Sequence, residues 1–316
     1  ENIMPSENGI LSNALGSAAA GIVGRLTTHP LDTAKARLQR SGSSYRGPVD
    51  VLLQTFRSEG IQGLYRGFST VIVGGTPGTI IYLCSYDIFK ERISLAAAAS
   101  TGTKPSETGE ENFLVHFTSG ILAETLACLI YVPVDVIKER IQVQHSTDSF
   151  QYKGGWDALV KISKTEGLRG IYKGYGATLA SFGPFSALYF VFYEKFKLWS
   201  RIYLQQRSAP SDEQVVLPFP WIVLSSASAG AVASFVTSPL DMAKLRLQIQ
   251  RGAQSGGENA TSYRGVVDAL TAAWQGGGYR GLFRGAGARV LHFVPATTVT
   301  MTSYETCRGF FQKSLE

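Results

Sequence analysis

Cysteine is scarce in this chain, which has three cysteines among its 316 residues. Cys84, Cys128 and Cys307 lie far apart, without a Cys-x-x-Cys spacing or His-rich neighbours. Zinc ligation and a disulfide framework both need such patterns, so neither is predicted. The apolar surroundings of the three residues favour buried thiols that serve packing.

Charge is scarce too, since Asp, Glu, Lys and Arg make up 17% of the residues against a usual share of about a quarter. The net charge of +6 comes without a recognised nucleic-acid-binding motif. Most basic residues fall in three stretches that alternate with apolar segments, as in a chain whose basic loops share one side of a membrane. No nucleophile with its base, phosphate-cradling loop or metal-ligand spacing is present, so the sequence predicts neither an enzyme nor a bound cofactor. No secretory signal pattern is visible either.

One motif recurs three times, with a proline, an aspartate, a lysine, an arginine and a glutamine at identical spacing. The copies begin at Pro30, Pro133 and Pro239, and each ends nine residues later at Gln39, Gln142 and Gln248. Because such a register does not arise by chance, the chain is predicted to contain three homologous units.

A second motif follows each copy of the first. An aromatic-basic-glycine triplet precedes a tyrosine by 21 residues, and a proline stands nine residues before that tyrosine. The triplets begin at Tyr65, Tyr172 and Phe283, and the tyrosines are Tyr86, Tyr193 and Tyr304. Each unit therefore has two anchored segments, and we place the repeats at residues 10–95, 112–204 and 215–316 of a single domain, 1–316.

Apolar stretches near the roughly 20 residues that span a bilayer lie next to these motifs. Glycine and proline within them are tolerated in membrane bundles, where small residues let helices approach closely. The polar segments after each first motif read as short surface helices. The predicted fold class is an all-α membrane protein with six transmembrane helices in three pseudo-threefold repeats.

On these residues the sequence resembles the mitochondrial carrier family over essentially its whole length. The resemblance implies a multi-pass solute transporter of the mitochondrial inner membrane, an antiporter that works by alternating access. Membrane lipid such as cardiolipin is expected around it, and no nucleic-acid partner is expected. One departure from the pattern lies in the third repeat, where Gly277-Gly278 replaces the acidic-glycine pairs Glu59-Gly60 and Glu166-Gly167.

Aspartate and lysine three residues apart share one helix face, and three such faces can meet around an axis. Each Asp can then pair with a Lys of the next repeat, and the resemblance assigns this ring to a gate on the matrix side. The predicted matrix gate comprises Asp32, Lys35, Asp135, Lys138, Asp241 and Lys244, braced by Gln39, Gln142 and Gln248. A second ring, on the cytoplasmic side, comprises Asp87 with Lys197, Glu194 with Arg308 and Glu305 with Lys90, braced by Tyr86, Tyr193 and Tyr304.

Charged residues inside spanning helices are functional candidates because they are costly in lipid. Arg25, Glu124 and Arg289 are such residues, and the family's contact positions add five more. The predicted substrate-binding set is Arg25, Gly74, Gly75, Glu124, Ser181, Phe182, Arg289 and His292.

Arginine suits carboxylate or phosphate and Glu124 suits an amine, so a small zwitterionic or mixed-charge metabolite is predicted. The third helix is similar to S-adenosylmethionine carriers, whereas Ser181-Phe182 stands where amino-acid carriers usually have a basic-acidic pair. A metal-ion carrier of the mitoferrin or magnesium-exporter kind, and a carrier-like structural subunit of a respiratory complex, remain alternatives.

Overall fold

The structure is a computed structural model that describes residues 7–101, 109–144, 151–207, 217–250 and 263–315. Side chains of residues 7–18, 97–101, 109–113, 304–305 and 307–315 are not described. All regular elements within the described ranges are helices: α1 (Glu7–Gln39), α2 (Pro48–Leu64), α3 (Phe68–Thr101), α4 (Gly109–Val143), α5 (Gly155–Ile171), α6 (Tyr175–Arg207), α7 (Phe219–Val236), α8 (Ser238–Ile249), α9 (Val266–Leu282) and α10 (Ala286–Leu315).

Six long helical segments and three short helices make up the fold, which confirms the predicted helical class. The fifth long segment consists of α7 and α8, which are separated only at Thr237. Pro239 follows two residues later, whereas Pro30 and Pro133 lie inside continuous helices. Because proline lacks the N–H that a helix interior uses, Pro30 and Pro133 each lose one backbone hydrogen bond and favour a bend, whereas Pro239 lies in the first turn of α8, where proline is tolerated.

The short helices α2, α5 and α9 share two local features. In each, a glycine near the end has a positive φ, 65° at Gly60, 65° at Gly167 and 54° at Gly278. Glycine adopts this left-handed backbone without a Cβ clash. The glycine of the acidic-glycine pair is therefore explained by backbone geometry, and it persists in the third repeat although the acidic residue does not.

The first turn of each short helix is held by an aspartate. Asp50 accepts a hydrogen bond of 2.9 Å from the backbone N–H of Arg46 and a second, of 2.7 Å, from the side-chain amide of Gln54. These donors lower the pKa of Asp50, with the backbone bond as the main cause. Asp157 and Asp268 accept the equivalent backbone bonds from Lys153 and Arg264, both 2.9 Å long.

Three helices of the described chain combine the length and the apolar composition that a membrane span requires. They cover Phe68–Ala96, Leu114–Val143 and Phe219–Val236. The first and last long helices carry Arg25 and Arg289 within their apolar stretches. A charge at the centre of a span is costly unless it faces a polar interior, so these two side chains are expected to point into the bundle.

Small residues let the long helices of different repeats pack closely. α1 packs against α10, α3 against α4, and α6 against α7. A Cβ added to Gly24 would collide with Thr300 and one added to Gly78 with Tyr131, both across a boundary between repeats; within the third repeat, one added to Gly230 would collide with Phe293. Van der Waals packing of this kind replaces the hydrophobic drive that is missing between helices in lipid.

The cysteines differ from the expectation of buried thiols at one of two described positions. Cys128 is buried, as predicted, but Cys84 is exposed on α3. The apolar neighbours of Cys84 are therefore an outward-facing surface and not a core. Cys307 lies outside the residues whose side chains are described.

Candidate substrate cavity and ion-pair rings

One end of the bundle is closed by ion pairs between repeats. We call Asp32, Lys35, Asp135, Lys138, Asp241 and Lys244 the closed-end ring. Lys35 Nζ lies 2.8 Å from Asp241, and Lys244 Nζ lies 2.8 Å from Asp135. Lys138 pairs with Asp32. Each of the three pairs predicted from the repeat is thus present, and each joins two different repeats.

The glutamines below the ring are less uniform than the repeat suggests. Gln39 donates to Asp241 at 3.3 Å, and Gln142 donates to Asp32 at 3.5 Å and to Thr33 at 3.2 Å. The side-chain nitrogen of Gln248 is buried and has no hydrogen-bond partner among the described atoms. Two of the three braces therefore contact the ring in this conformation.

Two further charged residues join the closed-end ring. Glu139 lies 3.3 Å from Lys138 and is 8% exposed. Arg289 Nε lies 3.6 Å from Asp241, and its Nη1 donates to the carbonyl of Ser234 at 3.1 Å. The ring with these two additions holds four carboxylates and four cations, so its charges balance. A predicted substrate residue, Arg289, is consequently part of the closure.

Below the ring, buried arginines lock two corners of the bundle. Arg37 makes a bidentate contact with Glu59 (2.8 and 2.9 Å), and Arg140 makes one with Glu166 (2.5 and 2.9 Å). Arg37 also donates to the carbonyl of Gln142 in the next repeat at 2.9 Å. Such fork-to-fork pairs combine charge and geometric specificity.

Basic residues of the aromatic-basic-glycine triplets border the same corners. Arg66 Nη2 lies 3.2 Å from Glu59, so one carboxylate serves two arginines. Burial lowers the pKa of Lys173, while the nearby Glu166 acts in the opposite direction. Glu59 therefore stabilises two cations at once, and Glu166 acts on Lys173 in addition to its pair with Arg140.

A cavity of about 450 Å³ lies directly above the closed-end ring. Two ring residues, Asp32 and Lys138, form part of its wall together with Arg25 and His292. The remaining lining residues are Gly21, Gly24, Thr28, His29, Val71, Ala296 and Thr300. A buried Nδ1 of His292 has no partner among the described atoms. The cavity thus offers an arginine and a histidine to a solute that rests on the ring.

Arg25 is positioned by the neighbouring helix. Its Nη1 donates to the carbonyl of Val71 at 2.7 Å, and its guanidinium occupies the space that a Cβ on Gly75 would need. Gly74 abuts Val134 in the same way. These two predicted contact positions of α3 therefore act by leaving room, and Gly75 leaves it for the arginine.

Several predicted substrate residues lie outside the lining of this cavity. Glu124 is half-buried on α4, where it accepts a hydrogen bond from Cys128 at 3.5 Å. It has no basic side chain within 4.0 Å among the described residues. Ser181 is buried with a hydroxyl that has no partner among the described atoms. Phe182 lies on the same helix, α6. Glu124 and Ser181 keep unused hydrogen-bonding capacity inside the bundle.

At the opposite end, the described residues form no ion pair between repeats. Asp87 and Lys90 are exposed, and Glu194 pairs with Lys197 of its own helix at 3.0 Å. Tyr86 contacts His116 at 2.5 Å, and the ammonium of Lys197 lies 5.0 Å from the ring centre of Tyr193. Tyr304, Glu305 and Arg308 have no described side chains. The predicted pair between Asp87 and Lys197 is absent from this conformation, and among the residues with described side chains the closed-end ring alone is assembled.

Comparison with known proteins places the chain among transporters. The sequence profile described as "Mitochondrial carrier protein" matches residues 6–96, 109–203 and 217–315. The chain belongs to the mitochondrial carrier family. It is 33% identical over 306 residues to mitochondrial substrate carrier family protein E of Dictyostelium discoideum, covering 94% of this chain and 95% of that protein.

Two other relatives of this carrier differ in what their names say they transport. The mitochondrial basic amino acids transporter of Rattus norvegicus is 28% identical, over 92% of this chain and 86% of its own length. Mitoferrin-1 of Danio rerio is 27% identical, over 97% and 87%. Members of the family are transporters and not enzymes, which confirms the class predicted from the repeat.

Sequence reasoning missed several residues of the carrier's closed end. Glu139 gives no signal because its counterparts in the other repeats are Ala36 and Leu245. Arg37 and Arg140, however, recur with Arg246 at one position of the first motif and could have been matched to the acidic-glycine pairs. A buried cation requires a partner, so that match was available from the sequence.

Proposed function

We propose that this carrier moves a small zwitterionic or mixed-charge metabolite, of the amino-acid or S-adenosylmethionine kind, across the mitochondrial inner membrane by alternating access. The observation that carries the proposal is the cavity above the closed-end ring. Arg25 and His292 line it, and two ring residues form its floor. A solute bound there contacts the gate that has to open.

The closed-end ring is the matrix gate in this proposal, and the opposite end faces the cytosol. The ring suits a gate because exposed or partly exposed ion pairs contribute about 0 to 1 kcal/mol each. Three pairs hold the end shut by only a few kcal/mol, while about 5.5 kcal/mol of differential affinity reverses a two-state equilibrium from 1:99 to 99:1. The contacts of one solute suffice for that.

Arg289 extends this logic from the cavity to the gate. It contacts Asp241, which also pairs with Lys35. An anionic group that draws Arg289 away from Asp241 removes one cation from the ring. Solute binding then weakens the closure by the same contact that recognises the solute.

The charges within the bundle favour a solute that carries both signs. Arg25 offers a guanidinium suited to carboxylate, and Glu124 offers a carboxylate without a basic partner within 4.0 Å among the described residues. The relationship to a transporter whose name specifies basic amino acids points the same way. S-adenosylmethionine has both charges as well and fits the same argument.

A metal ion is the second candidate, and one observation favours it. His292 lines the cavity and has a buried Nδ1 that lacks a partner among the described atoms, and neutral imidazole is a common metal ligand. The relative named mitoferrin-1 covers nearly the whole chain. Within the described residues, no group of three His, Cys, Asp or Glu side chains is arranged to hold a metal, so the metabolite remains the first candidate.

Uptake into liposomes that contain the purified carrier tests the proposal. Labelled basic and acidic amino acids, S-adenosylmethionine and ferrous iron are offered to wild type and to Arg25→Gln, Glu124→Gln and His292→Asn. Loss of a hydrogen bond to a charged group costs about 1.5 to 3 kcal/mol, so we expect uptake of the metabolite to fall at least tenfold in the first two variants.

Arg57→Gln is the matched control, since Arg57 is exposed on α2. It should transport like wild type. Selective uptake of iron, lost in His292→Asn alone, would establish the second candidate. Unchanged metabolite uptake in both Arg25→Gln and Glu124→Gln would refute the proposed binding site.

A further inference from the structure

Glu139 joins the closed-end ring through a contact within its own helix. Its Oε1 lies 3.3 Å from Nζ of Lys138, the preceding residue of α4. Its Oε2 is buried and has no hydrogen-bond partner among the described atoms. The pair between Lys138 and Asp32, by contrast, joins α4 to α1. When these two helices separate, the pair with Asp32 has to break, whereas the contact with Glu139 does not.

The other two repeats place apolar side chains at the position of Glu139. The equivalent residues are Ala36 and Leu245, and both are buried in one apolar cluster with Val143. Glu139 is itself only 8% exposed. A carboxylate buried in this way gives up its hydration and recovers a single ion pair. Closure of the bundle therefore has a desolvation cost in the second repeat that the other repeats avoid.

The neighbouring charges do not make Glu139 a link between repeats. Within α4, Asp135 lies near enough to repel its carboxylate. From α1, Asp32 repels it and Lys35 attracts it. The described ion pair of Lys35 is with Asp241 of the third repeat. Because the two residues of α1 act on Glu139 with opposite signs, their effects largely cancel, and the desolvation cost remains.

Opening of the closed end leaves the charges of its broken pairs without their partners in the other repeats. An uncompensated charge inside the bundle is strongly unfavourable. Glu139 neutralises Lys138 after Asp32 has moved away, since both residues belong to α4. Arg289 has the corresponding place for Asp241, from which it lies 3.6 Å away within the third repeat. Contacts inside a repeat thus reduce the cost of breaking contacts between repeats.

We propose that Glu139 is a positioning residue that favours opening of the closed end. It destabilises the closed state, in which its carboxylate is buried, and it keeps Lys138 neutralised in the open state. The inference rests on the proposed function, in which the closed-end ring is the matrix gate. A residue that merely reinforced the ring would have the opposite effect, so the sign of one substitution separates the two roles.

Thermal unfolding of the detergent-solubilised carrier gives the first test. Glu139→Gln keeps the size of the side chain and removes its charge, and a neutral amide is less costly to bury than a carboxylate. We expect Tm to rise by about 2 °C. Glu91→Gln removes the same charge from an exposed position of α3 and should leave Tm unchanged. A Tm of Glu139→Gln at or below that of wild type overturns the proposal.

Electron paramagnetic resonance measures the opening itself. Spin labels are attached to Arg57→Cys and Lys164→Cys in a variant whose three native cysteines are replaced by alanine. Both positions are exposed, and because α2 packs against α1 and α5 against α4, the distance between the labels increases when α1 and α4 separate. The background substitution Lys244→Gln removes one ring pair and raises the open fraction.

In this background we expect Glu139→Gln to lower the ratio of open to closed carrier about fivefold, the lower end of the cost of an unsatisfied buried group. Glu91→Gln should not change the ratio. An unchanged or higher open fraction in Glu139→Gln overturns the proposal, and Tm decides alone if the background shows no longer distance. Neither measurement involves a solute, so a failure here is distinct from a failure of the proposed substrate class.

Discussion

Replacement of Glu166 by glutamine should destabilise the carrier more than any exposed charge change. Arg140 is fully buried, with 0% of its side chain exposed. Its two terminal nitrogens lie 2.5 and 2.9 Å from the two carboxylate oxygens of Glu166. Glu166→Gln keeps the shape of the side chain and removes its charge, so the effect reports on the ion pair and not on packing.

The expected magnitude follows from burial. Removing one partner of a buried ion pair costs about 3 to 5 kcal/mol because the other charge stays behind without compensation. Arg140 keeps bonds to the carbonyls of Gln248 and Gln250, at 3.0 and 2.9 Å, and the new amide oxygen still accepts one bond. We therefore take the lower end, about 3 kcal/mol, which lowers Tm by roughly 6 °C at about 2 °C per kcal/mol.

Thermal unfolding of the detergent-solubilised carrier measures this change, and Lys161→Gln is the comparison. Lys161 pairs with Asp157 at 2.8 Å, with both side chains about a third exposed. An exposed pair of this kind contributes about 0.3 to 0.5 kcal/mol, so its loss should shift Tm by about 1 °C. The reasoning is refuted if Glu166→Gln lowers Tm no more than Lys161→Gln does.

Three further predictions concern the closed-end ring, the cavity and a surface helix. Asp135→Lys and Lys244→Asp should each reduce liposome uptake severalfold, while the double exchange restores much of it, because their 2.8 Å pair is re-formed with reversed polarity. Gly75→Ala should lower uptake at least tenfold by displacing Arg25, whereas Gly183→Ala, whose Cβ meets nothing within 4 Å, should not. The pKa of Asp50 is lowered in the folded state, so the contribution of Asp50 to the stability of α2 is present above about pH 3.9 and is lost as pH falls through the folded-state pKa. Amide hydrogen exchange in α2 should therefore accelerate at low pH. Asp50→Asn should remove this pH dependence.

The fold was predictable because the residues that form the closed-end ring recur in all three repeats of the sequence. Proline, aspartate, lysine and glutamine stand at identical spacing in three units, and threefold placement alone brings each aspartate to the lysine of a neighbouring helix. The pairs Lys35 with Asp241, Lys138 with Asp32 and Lys244 with Asp135 required no further information. Repetition turns a local motif into a long-range contact prediction.

The cavity was less predictable because its contacts depend on side-chain direction. Helical register places Arg25 inside the bundle, but the bond to the carbonyl of Val71 and the space at Gly75 appear only once α1 and α3 are packed. Arg289 likewise reads as a solute contact in the sequence, whereas its nearest carboxylate is Asp241 of the ring. Sequence spacing determines how far along the bundle axis a residue lies, but it does not determine which side chain that residue contacts.

In the proposed site, solute recognition rests on residues that occur in only one repeat, since a metabolite of the proposed kind lacks threefold symmetry. Arg25 corresponds to Cys128 and Ser234 in the other repeats, and His292 corresponds to Gly74 and Ser181. The three core pairs of the closed-end ring, by contrast, use residues present in all three repeats, to which Glu139 and Arg289 are added from single repeats.

The third repeat departs from this division, because it keeps the arginine that recurs as Arg37, Arg140 and Arg246 but has Gly277 in place of the glutamate that pairs with it in the first two repeats. If the lost glutamate were merely tolerated, Gly277→Glu would stabilise the carrier and leave its transport rate unchanged. If the missing counter-charge instead weakens the closed end so that it opens readily, the same substitution slows transport by holding that end shut. Uptake rates of Gly277→Glu and Gly277→Ala, compared with that of wild type, separate the two explanations.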